Sequence, residues 1–317
     1  MNILITGAAG FIGSHLCEKL VDNHKVIGLD NFCDFYDPKT KEKNIKNIVG
    51  LDNFKIIKGD IRNFDKLSQI FQENTFNLVI HLAAMAGVRP SIENPQLYSE
   101  VNINGTLNLL EQCKLNDIKK FIFASSSSIY GNNKEVPFSE NDPVDNPISF
   151  YAATKKSGEL TCHTYHHLYD ISIACLRFFT VYGPRQRPDL AIHKFARMIL
   201  NNEEIPVFGD GNSQRDYTYI DDILDGIVKT IDYVDSRKVF DVFNLGESQT
   251  ISLSEMISTI EETLGKEAIK KVLPMQPGDV NITFADISKS KKILGYNPKT
   301  EFKNGVKKFI EWLKQNM

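Results

Sequence analysis

Apolar residues along this chain come in two spacings. Short runs without alternation (NILIT, KVIGLD, FKIIKGD, FNLVIHLAA, KKFIFA, SIACLRFF) are separated by stretches in which apolar positions recur every three or four residues. Those stretches run from Phe11 to about Val21, through NFDKLSQIFQE, from about Asn94 to Cys113, and along YAATKKSGELTCHTYHHLY. Continuously apolar strands are expected where helices cover both faces of a parallel sheet, and the second spacing is that of amphipathic helices. The alternation predicts a doubly wound α/β arrangement over roughly the first 180 residues.

Beyond that point the rhythm loosens. GPRQRPD and FGDGNSQRD are rich in Gly, Pro and Asp, and helical spacing dominates the last third. The expectation is a first lobe over 1–179, to which part of 218–248 returns, and a smaller C-terminal α/β lobe over 180–317 that carries the substrate. Ligand binding between two lobes follows as an expectation. The 317 residues suffice for such a pair. A net charge of -3 argues against nucleic acid or an anionic membrane as partner. The longest apolar runs are strand-sized, so no membrane span is expected. The opening MNILITG lacks a secretory leader, and five cysteines (Cys17, Cys33, Cys113, Cys162, Cys175) without a C-x-x-C pair suit free thiols in the cytoplasm.

Chemistry concentrates where strands end. GAAGFIG places Gly7, Gly10 and Gly13 between the first strand and the first helix. A pyrophosphate at a helix N-terminus needs this order of elements, so the first lobe reads as a Rossmann-like dinucleotide domain. The second strand ends in Asp30, a carboxylate that can accept from an adenosine ribose and would repel a 2′-phosphate, which favours NAD over NADP. Asp60, after the third strand, suits the adenine edge or a helix N-cap. In YAATK, Tyr151 and Lys155 share a helix face at i, i+4. A free phenol titrates near 10, and lowering it by about three units takes roughly 4 kcal/mol, within reach of two nearby cations in a partly dry site. The serines of ASSSSIYG fall at the carboxyl end of the fifth strand, where such sheets bind ligands. His163 and His167 stand at i, i+4 but lack an intervening H-E-x-x-H glutamate, so no metal site is expected.

Taken together, GAAGFIGSHL, DNFCDFYDP, HLAAMAGVR, NINGT, SSSSIYG, YAATK, RFFTVYGP, SQRDYTYIDD and QPGDV resemble the extended short-chain dehydrogenase/reductases, in particular the nucleotide-sugar 4-epimerases. The resemblance runs nearly end to end. It implies an NAD-retaining UDP-sugar 4-epimerase with Ser126 and Tyr151 as catalytic groups and Lys155 as the nicotinamide-ribose ligand that tunes Tyr151. For the cofactor it implies Gly7, Gly10, Phe11, Ile12, Gly13, Asp30, Asn31, Asp60, Ile61, Leu82, Ala83, Ala84 and Asn102. For the substrate it implies Arg89, Ser127, Ser128, Thr180, Arg187 for the sugar's C5 substituent, Phe208 near uracil and Arg215 on the diphosphate. Thr283 is implied as a gate beside the C2 substituent, small enough to admit N-acetylhexosamines. Related dehydratases and decarboxylases carry Asp-Glu or a Glu after the catalytic hydroxyl; this chain has Ser127 and Ser128, which argues against a 4,6-dehydratase or net oxidoreductase, the nearer alternative, while the intact Ser126, Tyr151 and Lys155 argue against the other, a non-catalytic NAD-sensing protein. Where some members place a diphosphate-binding Arg, this chain has Gln276. The stretch GPRQRPDLAIHKF departs from the usual UDP-glucuronate epimerase pattern, so glucose and glucuronate both stay open as the sugar. A homodimer built on paired helices is also implied.

Overall fold

The computed structural model describes residues 1–274 and 280–316. Strands form at Asn2–Thr6 (β1), Lys25–Asp30 (β2), Phe54–Lys58 (β3), Leu78–His81 (β4), Lys120–Ser126 (β5), Ser172–Phe178 (β6), Thr180–Tyr182 (β7), Glu204–Phe208 (β8), Gln214–Tyr219 (β9), Phe240–Leu245 (β10), Thr250–Ser252 (β11) and Ile269–Leu273 (β12). In the first half, helices form at Phe11–Leu20 (α1), Pro38–Ile45 (α2), Phe64–Glu73 (α3), Val88–Glu93 (α4), Pro95–Tyr98 (α5) and Gly105–Leu115 (α6). The second half adds Phe150–Tyr169 (α7), Ala191–Leu200 (α8), Ile220–Ser236 (α9), Leu253–Leu264 (α10), Ser288–Leu294 (α11) and Phe302–Asn316 (α12).

Two compact units result. Residues 1–131, 143–177 and 226–243 make the first, and 132–142, 178–225 and the chain from Asn244 onward make the second. The first holds a seven-stranded sheet in the order β10-β6-β5-β4-β1-β2-β3. β1 pairs in parallel with β2 and β4, β2 with β3, and β4 with β5, which fixes a doubly wound sheet. Its apolar runs are buried as the pattern predicts: Leu4, Ile27, Val79, Phe121 and Ile173 lie in one core with Leu67, Ile70 and Leu109 of the flanking helices. The order of β1 beside both β2 and β4 sets the strand ends bearing Thr6, Asp30 and His81 side by side.

The stretch expected as one helix from Asn94 to Cys113 is helical with an interruption: a π-helical turn, Ser99–Asn104, separates α5 from α6. That widening turns Asn102 onto the end of β4, where both ends of its amide bond Met85. Residues 132–142, expected with the first lobe, pack within the second unit. There Phe138, fully buried, pairs through its backbone with Phe284 and Asp286.

In the second unit β9 pairs antiparallel with β11 and parallel with β7, and β8 pairs with β12. Tyr182 fills its centre against Phe302, ring centroids 5.2 Å apart. A Cβ on Gly305 would fall 2.2 Å from the Tyr182 hydroxyl, so that helix position requires glycine.

Candidate functional site

The turn after β1 is shaped by glycine. Gly7 has φ +71°, and a Cβ on Gly13 would meet the Gly7 carbonyl at 2.1 Å. Gly10 is the N-cap of α1 and leaves that helix without a side-chain cap for its first N–H groups. Phe11 and Ile12 open the helix, with Phe11 buried. Asp30, buried, accepts from Ala9 N–H at 3.0 Å and from Phe32 N–H at 2.8 Å, with Lys41 Nζ 3.9 Å away. Asp30 is therefore a turn residue, and each of its carboxylate oxygens keeps a second lone pair. Asn31 Nδ2 donates to Asp60 at 2.9 Å, tying the ends of β2 and β3. Arg62 holds Asp60 with three further bonds, one from its backbone N–H and two from its guanidinium; burial alone would push Asp60 up, yet these partners hold it at about 2. Asp60, Arg62, Asn63, Glu100 and Asn104 line an open cavity of about 540 Å³. Ile61, beside it, is buried, and a Cβ on Gly105 would strike it at 2.5 Å. Leu82, Ala83 and Ala84 follow β4, with the N–H groups of Leu82 and Ala83 bonded to Thr6. A helix N-terminus without a side-chain cap, a glycine-shaped turn and a carboxylate at the end of β2 are the features that NAD would need here.

A chain of hydrogen bonds links this region to α7. Thr106 Oγ1 donates to the Asn102 carbonyl at 2.6 Å, so it can only accept from His81 Nε2 at 3.0 Å. His81 therefore carries its proton on Nε2, and Nδ1 accepts from Thr6 Oγ1 at 2.8 Å, which in turn accepts from Ala83 N–H. Asn102 Nδ2 donates to Thr154 Oγ1 at 3.0 Å, and Thr154 donates to the Tyr151 carbonyl at 2.8 Å. Burial, then the Lys155 charge, push His81 down to about 3, so it stays neutral. Among these groups sequence reasoning singled out Asn102, as a cofactor ligand, and did not single out Thr6, His81, Thr106 or Thr154. Their only signal was a polar residue inside or beside an apolar run.

Ser149 caps α7 by accepting from Ala152 N–H at 3.1 Å. Ser91 accepts from Tyr151 N–H at 3.1 Å, and the Tyr98 ring lies edge-on to the Tyr151 ring at 6.2 Å. Lys155, buried, donates to the Ala124 carbonyl at 2.7 Å and lies 5.9 Å from the centre of the Tyr151 ring. Burial pushes its ammonium down to about 8, against an upward pull from Cys162 and Glu159. Ser126 ends β5, and its Oγ accepts from Ser128 N–H at 3.2 Å. Ser127 and Ser128 begin a 3-10 turn, and the buried Ser128 Oγ has no partner among the described residues. Arg89, on α4, is exposed.

In the second unit, Thr180 opens β7 opposite Tyr217, and Phe208 closes β8 opposite Leu273. Arg215 lies on β9 with Nη1 donating to the Gln214 carbonyl at 2.8 Å. Its neighbour Asp216 accepts from Glu247, Ser248 and Ala285 N–H and from Thr218, a role in folding the loops that sequence reasoning did not assign. Arg187 is gripped by Asp189 through two bonds, 3.0 and 2.7 Å. Thr283 is buried, its hydroxyl accepting from Asp216 N–H at 3.2 Å. Gln276 lies outside the described residues. His163 is exposed and stacks edge-on against Phe240. Among the described residues no group of three His, Cys, Asp or Glu is arranged to hold a metal ion.

A parallel sheet with a glycine turn at β1, strand-end hydroxyls and a Tyr-Lys helix face defines a nucleotide-dependent short-chain dehydrogenase/reductase type of protein. Comparison with known proteins agrees. The family described as "GDP-mannose 4,6 dehydratase" matches residues 4–309. An uncharacterized protein of Methanocaldococcus jannaschii is 49% identical over 320 residues, 99% of this chain and 97% of that protein. The UDP-glucuronate 4-epimerase of Thermodesulfobacterium geofontis is 44% identical over 316 residues, 99% of this chain and 96% of that protein. Among solved structures, UDP-glucuronic acid 4-epimerase from Bacillus cereus, in complex with UDP-glucuronic acid and NAD, superposes with a TM-score of 0.93 at 41% identity, covering 100% of both chains. The chain belongs to this family, the extended short-chain dehydrogenase/reductases, in their nucleotide-sugar 4-epimerase branch.

Proposed function

We propose that the protein interconverts UDP-glucuronate and UDP-galacturonate, with Tyr151 transferring the proton of the sugar's 4-hydroxyl. The reaction class is NAD-dependent UDP-sugar 4-epimerisation, an isomerase activity. When bound, NAD supplies a reversible hydride acceptor, so the sugar passes through a transient 4-keto form. The observation that carries the residue roles is the buried Lys155 ammonium, set between the Tyr151 ring and the Ala124 carbonyl two residues before Ser126. A cation there favours the phenolate over the phenol, the form of Tyr151 that can take the proton. Ser126 holds the substrate's 4-oxygen against Tyr151. Ser127 and Ser128 offer hydroxyls but no acid for expelling water, which favours epimerisation over dehydration.

For the remainder of the ligand, the glycine turn holds the NAD pyrophosphate, Asp30 the ribose and Asp60 the adenine edge. On the UDP-sugar, Arg215 meets the diphosphate, Phe208 the uracil, and Thr180, Arg89 and Arg187 the sugar end. Arg187 reaches a carboxylate only by loosening its bonds to Asp189. Thr283 is short enough to leave room at C2. UDP-glucuronate is preferred over UDP-glucose on the strength of the relatives' names and the Bacillus cereus complex. The protein pairs with a second copy through α6 and α7, whose Leu107, Leu115, Leu160 and Leu168 are exposed. Among the described residues no helix is long and apolar enough to cross a membrane, and five free thiols suit work in the cytoplasm.

The test compares purified enzyme on UDP-glucuronate, UDP-glucose and UDP-N-acetylglucosamine. The highest kcat/KM is expected for UDP-glucuronate; a higher value for either other sugar overturns the assignment. Tyr151→Phe is expected to retain NAD and bind UDP-glucuronate while losing ~10²–10⁴-fold in kcat. Near-normal turnover in that variant would sink the mechanism.

A further inference from the structure

Tyr151, Lys155 and Glu159 recur every four residues and share one face of α7. The third of them has no place in the roles assigned so far. Glu159 is 4% exposed and binds Arg177, itself 3% exposed, through two parallel bonds of 2.9 Å. An ion pair taken this far from water is poorly explained by stability, because desolvation offsets most of the Coulomb attraction and apolar pairs of equal volume do as well or better.

Its remaining bonds show what it holds. Ser125 Oγ donates to Glu159 Oε1 at 2.6 Å, and Arg177 Nη1 donates to the Tyr130 hydroxyl at 2.9 Å. Both partners are buried, and both flank Ser126 in the chain: one directly before it, the other at the end of the 3-10 turn that follows. With Lys155 on the Ala124 carbonyl at 2.7 Å, the segment 124–130 is fixed at three points by one helix face and β6. Ser126 lies between those points. Among the described residues, only the backbone and a local bond to Ser128 N–H otherwise hold it.

We propose that Glu159 and Arg177 are positioning residues that set the Ser126 hydroxyl against the Tyr151–Lys155 face. This inference rests on the reading of Ser126, Tyr151 and Lys155 as catalytic. Neither residue of the pair touches substrate; they act through Ser125 and Tyr130. Glu159 also carries the carboxylate one helical turn from Lys155. The groups that face the Lys155 ammonium are Tyr151, Glu159 and Cys162 on α7, His81 on β4, the Phe123 ring and Ala124 carbonyl on β5, and Arg177 behind Glu159 on β6. Within that set Glu159 is the one carboxylate. Removing its charge makes the ammonium harder to keep, so the alkaline limb of kcat/KM moves to lower pH.

Two variants with different consequences for folding decide the matter. The double variant Glu159→Leu with Arg177→Met removes the charges together and keeps much of the volume. It is expected to retain bound NAD and the wild-type melting temperature, to shift KM for UDP-glucuronate by less than ~3-fold, and to lose at least ~30-fold in kcat. A kcat within ~3-fold of wild type overturns the proposal. Should the double variant not fold, Glu159→Gln decides: a fall in kcat with unmoved KM and an alkaline limb displaced to lower pH supports the positioning role. A loss that only follows the NAD-bound fraction, with the limb in place, overturns it. Tyr151→Phe is measured alongside. If it is inactive while the double variant is normal, the positioning inference alone fails. If it is fully active, the catalytic reading fails and the positioning role falls with it.

Discussion

His81 shows how one residue's surroundings set a property of the whole fold. Its ring is enclosed by two threonine hydroxyls and the Phe121 and Phe123 rings, with no carboxylate to support a positive charge. Burial and Lys155 therefore hold it at about 3, whereas in the unfolded chain it titrates near 6.5. As pH falls below 6.5 the unfolded state takes up this proton and the folded state does not, so stability drops by roughly 1.4 kcal/mol per unit until about pH 3. Urea midpoints are expected to fall steeply between pH 6.5 and 4.5. His81→Gln is expected to be less stable at pH 7.5 by about 1–3 kcal/mol yet to show a shallower acid slope. An identical slope in the variant would assign the acid loss to other groups.

At the scale of elements, the distance between α7 and β5 governs the proposed site, because Tyr151 and Lys155 ride on one and Ser126 on the other. Gly158 sets that distance. A Cβ there would lie 2.3 Å from the Phe123 ring, so Gly158→Ala lifts the helix or displaces the ring, at a cost of about 1–3 kcal/mol. The expected result is a lower melting temperature together with a kcat reduced at least ~10-fold, since Lys155 loses its bond to Ala124. Adding Phe123→Leu makes room and should recover much of both. Recovery of stability without recovery of kcat would show that the spacing is not what controls turnover.

For the molecule as a whole, the outer faces of α6 and α7 are the place to look for a second copy. Leu115, Leu160 and Leu168 are 62%, 58% and 58% exposed; Leu107 and Leu115 on α6, and Leu160 and Leu168 on α7, stand eight residues apart, and the two helices pack together. Pairing them across a two-fold axis removes that surface from water. Leu160→Glu with Leu168→Glu is expected to convert a dimer into a monomer in sedimentation equilibrium while leaving NAD bound. A wild-type protein that sediments as a monomer refutes the pairing.

The order of elements, the glycine turn, the strand-end position of Asp30 and the serines, and the Tyr151–Lys155 spacing were all legible in the chain, because each depends on residues within a few positions of one another. The period of the apolar residues fixes which face a helix buries, and a strand followed by glycines fixes where a dinucleotide phosphate can approach. What the sequence could not reveal was pairing at a distance. Nothing local links Glu159 to Arg177, His81 to Thr6 and Thr106, or Asp216 to the N–H groups of Glu247, Ser248 and Ala285. The fate of 132–142 was hidden for the same reason, since Phe138 finds its place only against Phe284 and Asp286. Such polar groups are buried at a net cost unless a partner arrives from another element, so only the closed tertiary structure determines which of them meet.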